Sequence, residues 1–272
     1  MYYKKMLLSK ISKKAINSKA TLEIYLNEYN EELPLCNARP AMLVIPGGAY
    51  EWCSNREGEP VALRYMAEGF NCFVLKYATK QKYPTPHNEV AIAINYINKH
   101  CKKFNLIKNC VSLVGFSAGG HLCASYGYCY PELAENLKLS KSSIRPFSIN
   151  LAYPVIKAFG NTNEVTINNI AGDDLDLKEK MSAEKHVSKK YPPVYIWTTK
   201  EDTCVPPENT YEFIEALKAN KVKYKADIYE YGVHGGSLVN QAVYPLDFDY
   251  EKINPQRNWP TNSAKFIYGL IK

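Results

Sequence analysis

The 272-residue chain has no apolar run of 18 residues, no two cysteines at C-x-x-C spacing, no internal repeat, no low-complexity tract and no linker-like stretch. Each absence removes a class of protein. Without a long apolar span there is no candidate membrane helix. The opening "MYYKKMLLSKISKKAIN" has lysines like a signal peptide, but its longest apolar run is "MLL", far short of an export core. A cytoplasmic protein is therefore expected, with no membrane partner. The eight cysteines, at positions 36, 53, 72, 101, 110, 123, 129 and 204, should then stay reduced, and their spacing argues against zinc. Cys53 and Cys204 lie near motifs described below, and both read as small apolar filler rather than reactive thiols. Acids are missing from the start of the chain. Lys4, Lys5, Lys10, Lys13, Lys14 and Lys19 all precede Glu23 and carry six of the seven surplus positive charges. That basic end reads as a solvated tail or sheet edge, not a nucleic-acid face. With no linker and ample length for a core, one domain over 1–272 is expected.

What is present is an alternation of strand and helix patterns. "TLEIYLN" (21–27) alternates Leu22, Ile24 and Leu26 with polar residues, as a half-buried antiparallel strand does. "AMLVI" (41–45) is continuously apolar, which suggests a strand covered on both faces, and it stops at "PGG". "EPVALRYMAEG" (59–69) puts Val61, Ala62, Tyr65 and Met66 on one helical face, with Pro60 in the first turn and Gly69 at the end. "FNCFVLKY" is again strand-like, and "HNEVAIAINYINKHCKKF" is a helix with its stripe at Val90, Ile94 and Ile97. "CVSLVGF" reads as a strand and "AGGHLCASYGYCY" as a helix halted before Pro131. Strands at "FSINLAY", "PVYIWTT" and "YKADIYEYG" follow, with helices at "NTYEFIEALKANK" and "WPTNSAKFIYGLIK". The order predicts an α/β fold with a mainly parallel central sheet flanked by helices on both faces. Only residues 156–190 break the rhythm, being polar and too long for a plain crossover. They read as an insertion, either a lid or a loosely packed surface excursion.

Gly115, Ser117 and Gly119 make a G-x-S-x-G pattern in "LVGFSAGGH". The pattern is weak alone. Here it sits between a buried strand and a helix, where a nucleophile elbow exposes its serine on a strained turn. The helix from Ala118 would point free N–H groups and positive dipole toward a developing anion. A serine needs a base, and five histidines are available. His121 lies one helical turn beyond Ser117 and reads as structural, His87 and His100 as capping and surface residues, and His186 as part of the insertion. His234, in the glycine-flanked loop "YGVHGG" after the last strand, is the candidate general base. Asp202 follows a buried strand and precedes His234, so it is the candidate orienting acid. Glu201 is its nearest rival, and Asp173, Asp174 and Asp176 read as solvating the insertion. "IPGGAYEW" (45–52) follows an early strand and can supply oxyanion donors. Gly48, Ala49 and Ala118 are the candidates, with Gly47 shaping the turn and Tyr50 and Trp52 as candidate pocket walls.

Together "IPGGAYEWCSNREGEPVA", "GFSAGGHLCA", "PPVYIWTTKEDTCVPPENT" and "GVHGGSL" resemble the α/β-hydrolase fold and, within it, small esterase and lipase-like enzymes that include carbohydrate acetylesterases such as acetyl xylan esterases. The resemblance covers most of the chain from about residue 40. It implies a triad of Ser117, Asp202 and His234, no metal or organic cofactor, and a small-molecule or oligosaccharide ester as substrate. It departs from the family where many relatives read H-G-G-G, because Pro46 replaces the histidine and Ala49 the third glycine. Two other functions fit the same residues. An aminopeptidase-like or acylaminoacyl hydrolase would use the same triad, and a non-catalytic binding protein would keep the fold without the chemistry. A homo-oligomer is left open.

Overall fold

The computed structural model describes residues 1–33, 38–244 and 250–271, so Cys36 lies outside the described residues. The strands are β1 (Tyr2–Leu7), β2 (Thr21–Leu26), β3 (Arg39–Ile45), β4 (Asn71–Lys76), β5 (Leu106–Phe116), β6 (Ile149–Ala152), β7 (Val194–Thr199) and β8 (Tyr224–Tyr229). They form one eight-stranded sheet in the order β1-β2-β4-β3-β5-β6-β7-β8. β1 and β2 run antiparallel to their neighbours, and the remaining pairs are parallel. The main helices are α1 (Glu59–Ala67), α2 (Thr85–Lys99), α3 (Ala118–Asn136), α4 (Glu164–Ala171), α5 (Leu175–Met181), α6 (Glu208–Ala219) and α7 (Trp259–Tyr268).

Alternate residues of the central strands feed two cores on opposite faces of the sheet. Leu43, Ile45 and Leu113 join Ile94 of α2, Leu122 of α3 and Phe213 of α6. Val44, Val114 and Phe116 join Tyr65 of α1 and Trp259 and Ile267 of α7. Helices cover both faces, which is why these strands read as unbroken apolar runs. β1 lies at the sheet edge, with Lys4 and Lys5 exposed along it, and charge there discourages strand addition.

Three local expectations are corrected. β2 is not half-buried: Leu22, Glu23, Ile24 and Tyr25 are all buried, because α1 packs over it. The Glu23 carboxylate is accommodated by Lys5 at 3.0 Å and Lys76 at 3.7 Å. α3 does not stop before Pro131 but continues to Asn136. The proline forfeits one backbone hydrogen bond, but the turn beyond it buries Leu133 and Ala134, which holds the helix together. Residues 156–190 are not a loosely packed excursion. Ile156, Ile170, Ala171, Met181 and Ala183 from this segment are buried in the same core as α2 and α3. Among the described residues no helix is long and apolar enough to cross a membrane.

The parallel strands β3, β5, β6 and β7 pair in register near their ends, Ile45 with Gly115, Phe116 with Ala152, and Ala152 with Trp197. Their following loops therefore emerge together along one edge of the sheet. Ligand sites of open parallel sheets form at that carboxyl edge.

Candidate active site

Ser117 caps the N-terminus of α3 at φ 51°, ψ −116°, a conformation that non-glycine residues rarely adopt. Its amide is fixed by the Ala152 carbonyl at 3.0 Å, while its carbonyl accepts from His121 and Val155. The sharp turn is possible because strand and helix backbones nearly touch. A Cβ on Gly119 would lie 2.2 Å from the Ile45 carbonyl oxygen. The turn leaves the Ser117 side chain partly open to solvent at the sheet edge.

The loop after β8 brings His234 Nε2 to 2.8 Å from Ser117 Oγ, and His234 Nδ1 lies 2.7 Å from Asp202 Oδ2. A carboxylate only accepts, so the Nδ1–H donates to Asp202 and the Nε2 lone pair is left to accept from the serine hydroxyl. Asp202, in the loop after β7, is held in turn. Its Oδ1 accepts from the amides of Cys204 at 3.0 Å and Val205 at 2.9 Å. Its side chain is fully buried, whereas that of His234 is 18% exposed. Glu201 does not reach the imidazole; it accepts from the Gly232 amide and lies on the surface. Asp174 caps α5 through the Leu177 amide, and Asp173 and Asp176 are exposed.

The loop after β3 folds over the same point. Gly48 has φ +125°, and Ala49 and Tyr50 also have positive φ. A side chain at Gly48 would lie 2.3 Å from the Trp52 carbonyl oxygen. Among the described residues, the amides of Gly48, Ala49 and Ala118 donate to no protein acceptor, so all three remain available as donors. The Ala49 carbonyl is taken by Asn169 Nδ2 of α4 at 2.7 Å.

Tyr50 is a correction: it forms no open pocket wall, because its side chain is completely buried and its hydroxyl meets His121 Nδ1 at 2.8 Å. Trp52 is 56% exposed beside the loop. His87 is corrected as well. It is neither a cap nor a surface residue but lies fully buried, with Nε2 2.7 Å from Ser125 Oγ. His121 is structural, bonded to Tyr50 and to the Met181 carbonyl. His100 contacts the Tyr96 carbonyl and His186 the Glu179 carbonyl, both away from Ser117. Burial pushes the Cys53 thiol up to about 12, which makes it a poor thiolate.

Sequence reasoning missed a polar group beneath the site. Glu57 is 4% exposed, and its Oε2 accepts from the Gly47 amide at 2.8 Å while its Oε1 accepts from the Tyr153 hydroxyl at 2.7 Å. Burial raises its pKa, and the bonds from Tyr153 and Gly47 pull it back. Glu57 stands inside a quoted motif, but nothing in a linear sequence says that this acid, unlike its neighbours Glu51 and Glu59, turns inward.

The mostly parallel sheet with a serine at its strand-turn-helix joint defines an α/β-hydrolase fold. The chain belongs to the BD-FAE family, whose model matches residues 22–217. It is 33% identical over 214 residues to endo-1,4-beta-xylanase B of Butyrivibrio fibrisolvens, covering 76% of this chain and 34% of that protein. It is 29% identical over 205 residues to the acetylxylan esterase of Xylanibacter ruminicola, covering 72% of this chain and 40% of that one. The chain thus spans less than half the length of these curated relatives. The crystal structure of the carboxylesterase Cest-2923 from Lactobacillus plantarum WCFS1 aligns with TM-score 0.86 and 26% identity over 100% of this chain and 99% of that one.

Proposed function

We propose that the protein is a carboxylic ester hydrolase that uses Ser117 as nucleophile, His234 as general base and Asp202 as its orienting acid. The observation that carries this reading is the unbroken line of hydrogen bonds from Ser117 Oγ through His234 to Asp202, at 2.8 and 2.7 Å. The Ser117 hydroxyl proton passes to His234 Nε2 as Oγ bonds to the ester carbonyl carbon. The carbonyl oxygen takes the negative charge, for which the amides of Gly48, Ala49 and Ala118 and the positive end of α3 are the donors at hand. Collapse of this intermediate expels the alcohol, which takes the proton from His234. Water, deprotonated by His234, then releases the acid and regenerates Ser117. No metal or organic cofactor enters these steps.

The substrate is proposed to be a short acyl ester, principally acetyl, on a sugar or oligosaccharide. Kinship with the acetylxylan esterase of Xylanibacter ruminicola supports this. The segment 156–190, which touches the oxyanion loop through Asn169, is proposed to roof the substrate side of the site.

Hydrolysis of nitrophenyl acetate and acetylated xylo-oligosaccharides by wild type and Ser117→Ala tests the reading. The variant should lose up to about a millionfold in kcat while keeping its fold. Unchanged turnover would refute the nucleophile. Along a series of esters of rising chain length, rates should fall beyond acetyl. Faster cleavage of aminoacyl anilides would favour a peptide hydrolase, and failure to react with a fluorophosphonate would favour a non-catalytic binding protein.

A further inference from the structure

The oxyanion loop and the histidine loop come from opposite ends of the chain, yet one buried carboxylate joins them. Glu57 lies in the short helical turn Asn55–Glu57 that follows the glycine loop, folded back beneath it. Its two oxygens take the Gly47 amide, one residue before Gly48, and the Tyr153 hydroxyl. That hydroxyl in turn accepts from the amide of Ser237, three residues after His234, at 2.9 Å. The Tyr153 hydroxyl has a single proton, which it gives to the Glu57 carboxylate, while its oxygen receives the Ser237 N–H. The Tyr153 ring also lies edge-on to the His234 ring, with centroids 4.9 Å apart. A second strut runs parallel to this one: Ser237 Oγ donates to the Arg56 carbonyl at 2.6 Å, and Trp259 Nε1 donates to the Ser237 carbonyl at 2.8 Å.

Two features make this more than ordinary loop packing. Among the described residues Glu57 makes no close ion pair with a lysine or arginine; Arg56 acts on it only from farther off, and the hydrogen bonds from Tyr153 and Gly47 do more to hold this buried acid, a costly arrangement. Tyr153 sits at φ 38° and Ser237 at φ 50°, so both partners hold left-handed backbone conformations in order to meet.

We propose that Glu57, acting through Tyr153, is a positioning residue that sets the separation between the oxyanion donors and His234. The proposal rests on the esterase reading above. Donors and base must be placed together for the transition state but not for the bound ester, so loosening the link should lower kcat and spare KM. In Tyr153→Phe the ring contact with His234 stays and only the hydroxyl link is lost. In Glu57→Gln the side-chain amide sets an N–H against one of the two donors.

Steady-state kinetics with nitrophenyl acetate, beside urea unfolding, test it. Tyr153→Phe should lose about tenfold in kcat and Glu57→Gln about a hundredfold, each with KM within about twofold of wild type. Wild-type kcat in both variants would overturn the proposal, as would kcat and KM worsening together in step with lost stability, which marks plain structural support. If Glu57→Gln does not fold, Tyr153→Phe decides alone. A wild-type protein without Ser117-dependent hydrolysis would fail the esterase reading itself, and the positioning role would fall with it; the Ser117→Ala control separates that failure from the others.

Discussion

Tyr50 and His121 are joined by a 2.8 Å hydrogen bond deep inside the protein, their rings edge-on with centroids 5.9 Å apart. The other ring nitrogen of His121 faces the Met181 carbonyl at 2.9 Å. A carbonyl only accepts, so Nε2 carries the proton and Nδ1 accepts from the Tyr50 hydroxyl. One neutral imidazole thus binds the glycine loop after β3, the helix after Ser117 and the segment 156–190. The same bond explains why Tyr50 supports the glycine loop after β3 from below instead of lining a pocket.

Acid should weaken this joint. Burial lowers the His121 imidazole to about 4, below the ordinary value of about 6.5. A depressed folded pKa means that the stabilisation is fully present above the unfolded value and is lost as pH falls toward the folded one. The loss from pH 7.5 to 4.5 is roughly 2–3 kcal/mol. Urea unfolding of wild type and His121→Gln at both pH values measures it. Wild type should lose roughly that much more than the variant, because glutamine does not titrate. Equal losses would show that His121 is not the titrating group.

The strained serine predicts a trade of stability for chemistry. A non-glycine residue at the Ser117 backbone angles costs about 1–3 kcal/mol. Glycine relieves this, less about 0.5–1 kcal/mol for its freer unfolded chain. Ser117→Gly should therefore be more stable than Ser117→Ala, which keeps a Cβ, by about 1 kcal/mol in denaturant unfolding. An order reversed between the two would mean the turn carries no strain.

Most of the architecture was legible in the sequence because its signals are local. Continuous apolar runs marked β3, β4, β5 and β7, and glycines marked the turns beside them. The serine, aspartate and histidine candidates were legible because each follows a strand on a loop with turn residues, and the structure brings these three together. What stayed hidden depended on partners far along the chain. Pro131 looked like a helix stop because its penalty is local, whereas the burial of Leu133 that outweighs it is tertiary. His87 and Tyr50 looked like cap and wall, and Glu57 drew no reading at all, for the same reason: their partners are Ser125, His121 and Tyr153.

Asp202 should matter through the tautomer it imposes. With asparagine there, the side-chain N–H would face His234 Nδ1 if the oxygen keeps the Cys204 and Val205 amides. The imidazole proton would then shift to Nε2 and point at Ser117, leaving no lone pair to accept the hydroxyl proton. Asp202→Asn should lower kcat by about 10⁴, as loss of the equivalent tautomer does in other serine triads, with little change in circular dichroism. A loss under tenfold would argue that His234 needs no orienting acid.

Gly47 tests whether the oxyanion loop must sit where it does. A Cβ there would lie 2.7 Å from the Phe116 carbonyl oxygen, 2.9 Å from Glu57 Oε2 and 3.1 Å from Ser117 Cβ. The nearest of these is backbone of β5, which cannot yield, so in Gly47→Ala the loop itself must move away from Ser117. Such overpacking costs about 1–3 kcal/mol of stability, and displacing the donors should lower kcat by about 10²–10³, the value of one oxyanion donor. Gly236 on the histidine loop supplies the contrast. Among the described residues a Cβ there meets nothing closer than Val239 Cγ2 at 3.4 Å and its φ is not positive, so Gly236→Ala should leave kcat and stability nearly unchanged. If both alanines behaved alike, the crowding beneath Gly47 would have no bearing on turnover, and the donors would have to be sought elsewhere than in the loop after β3.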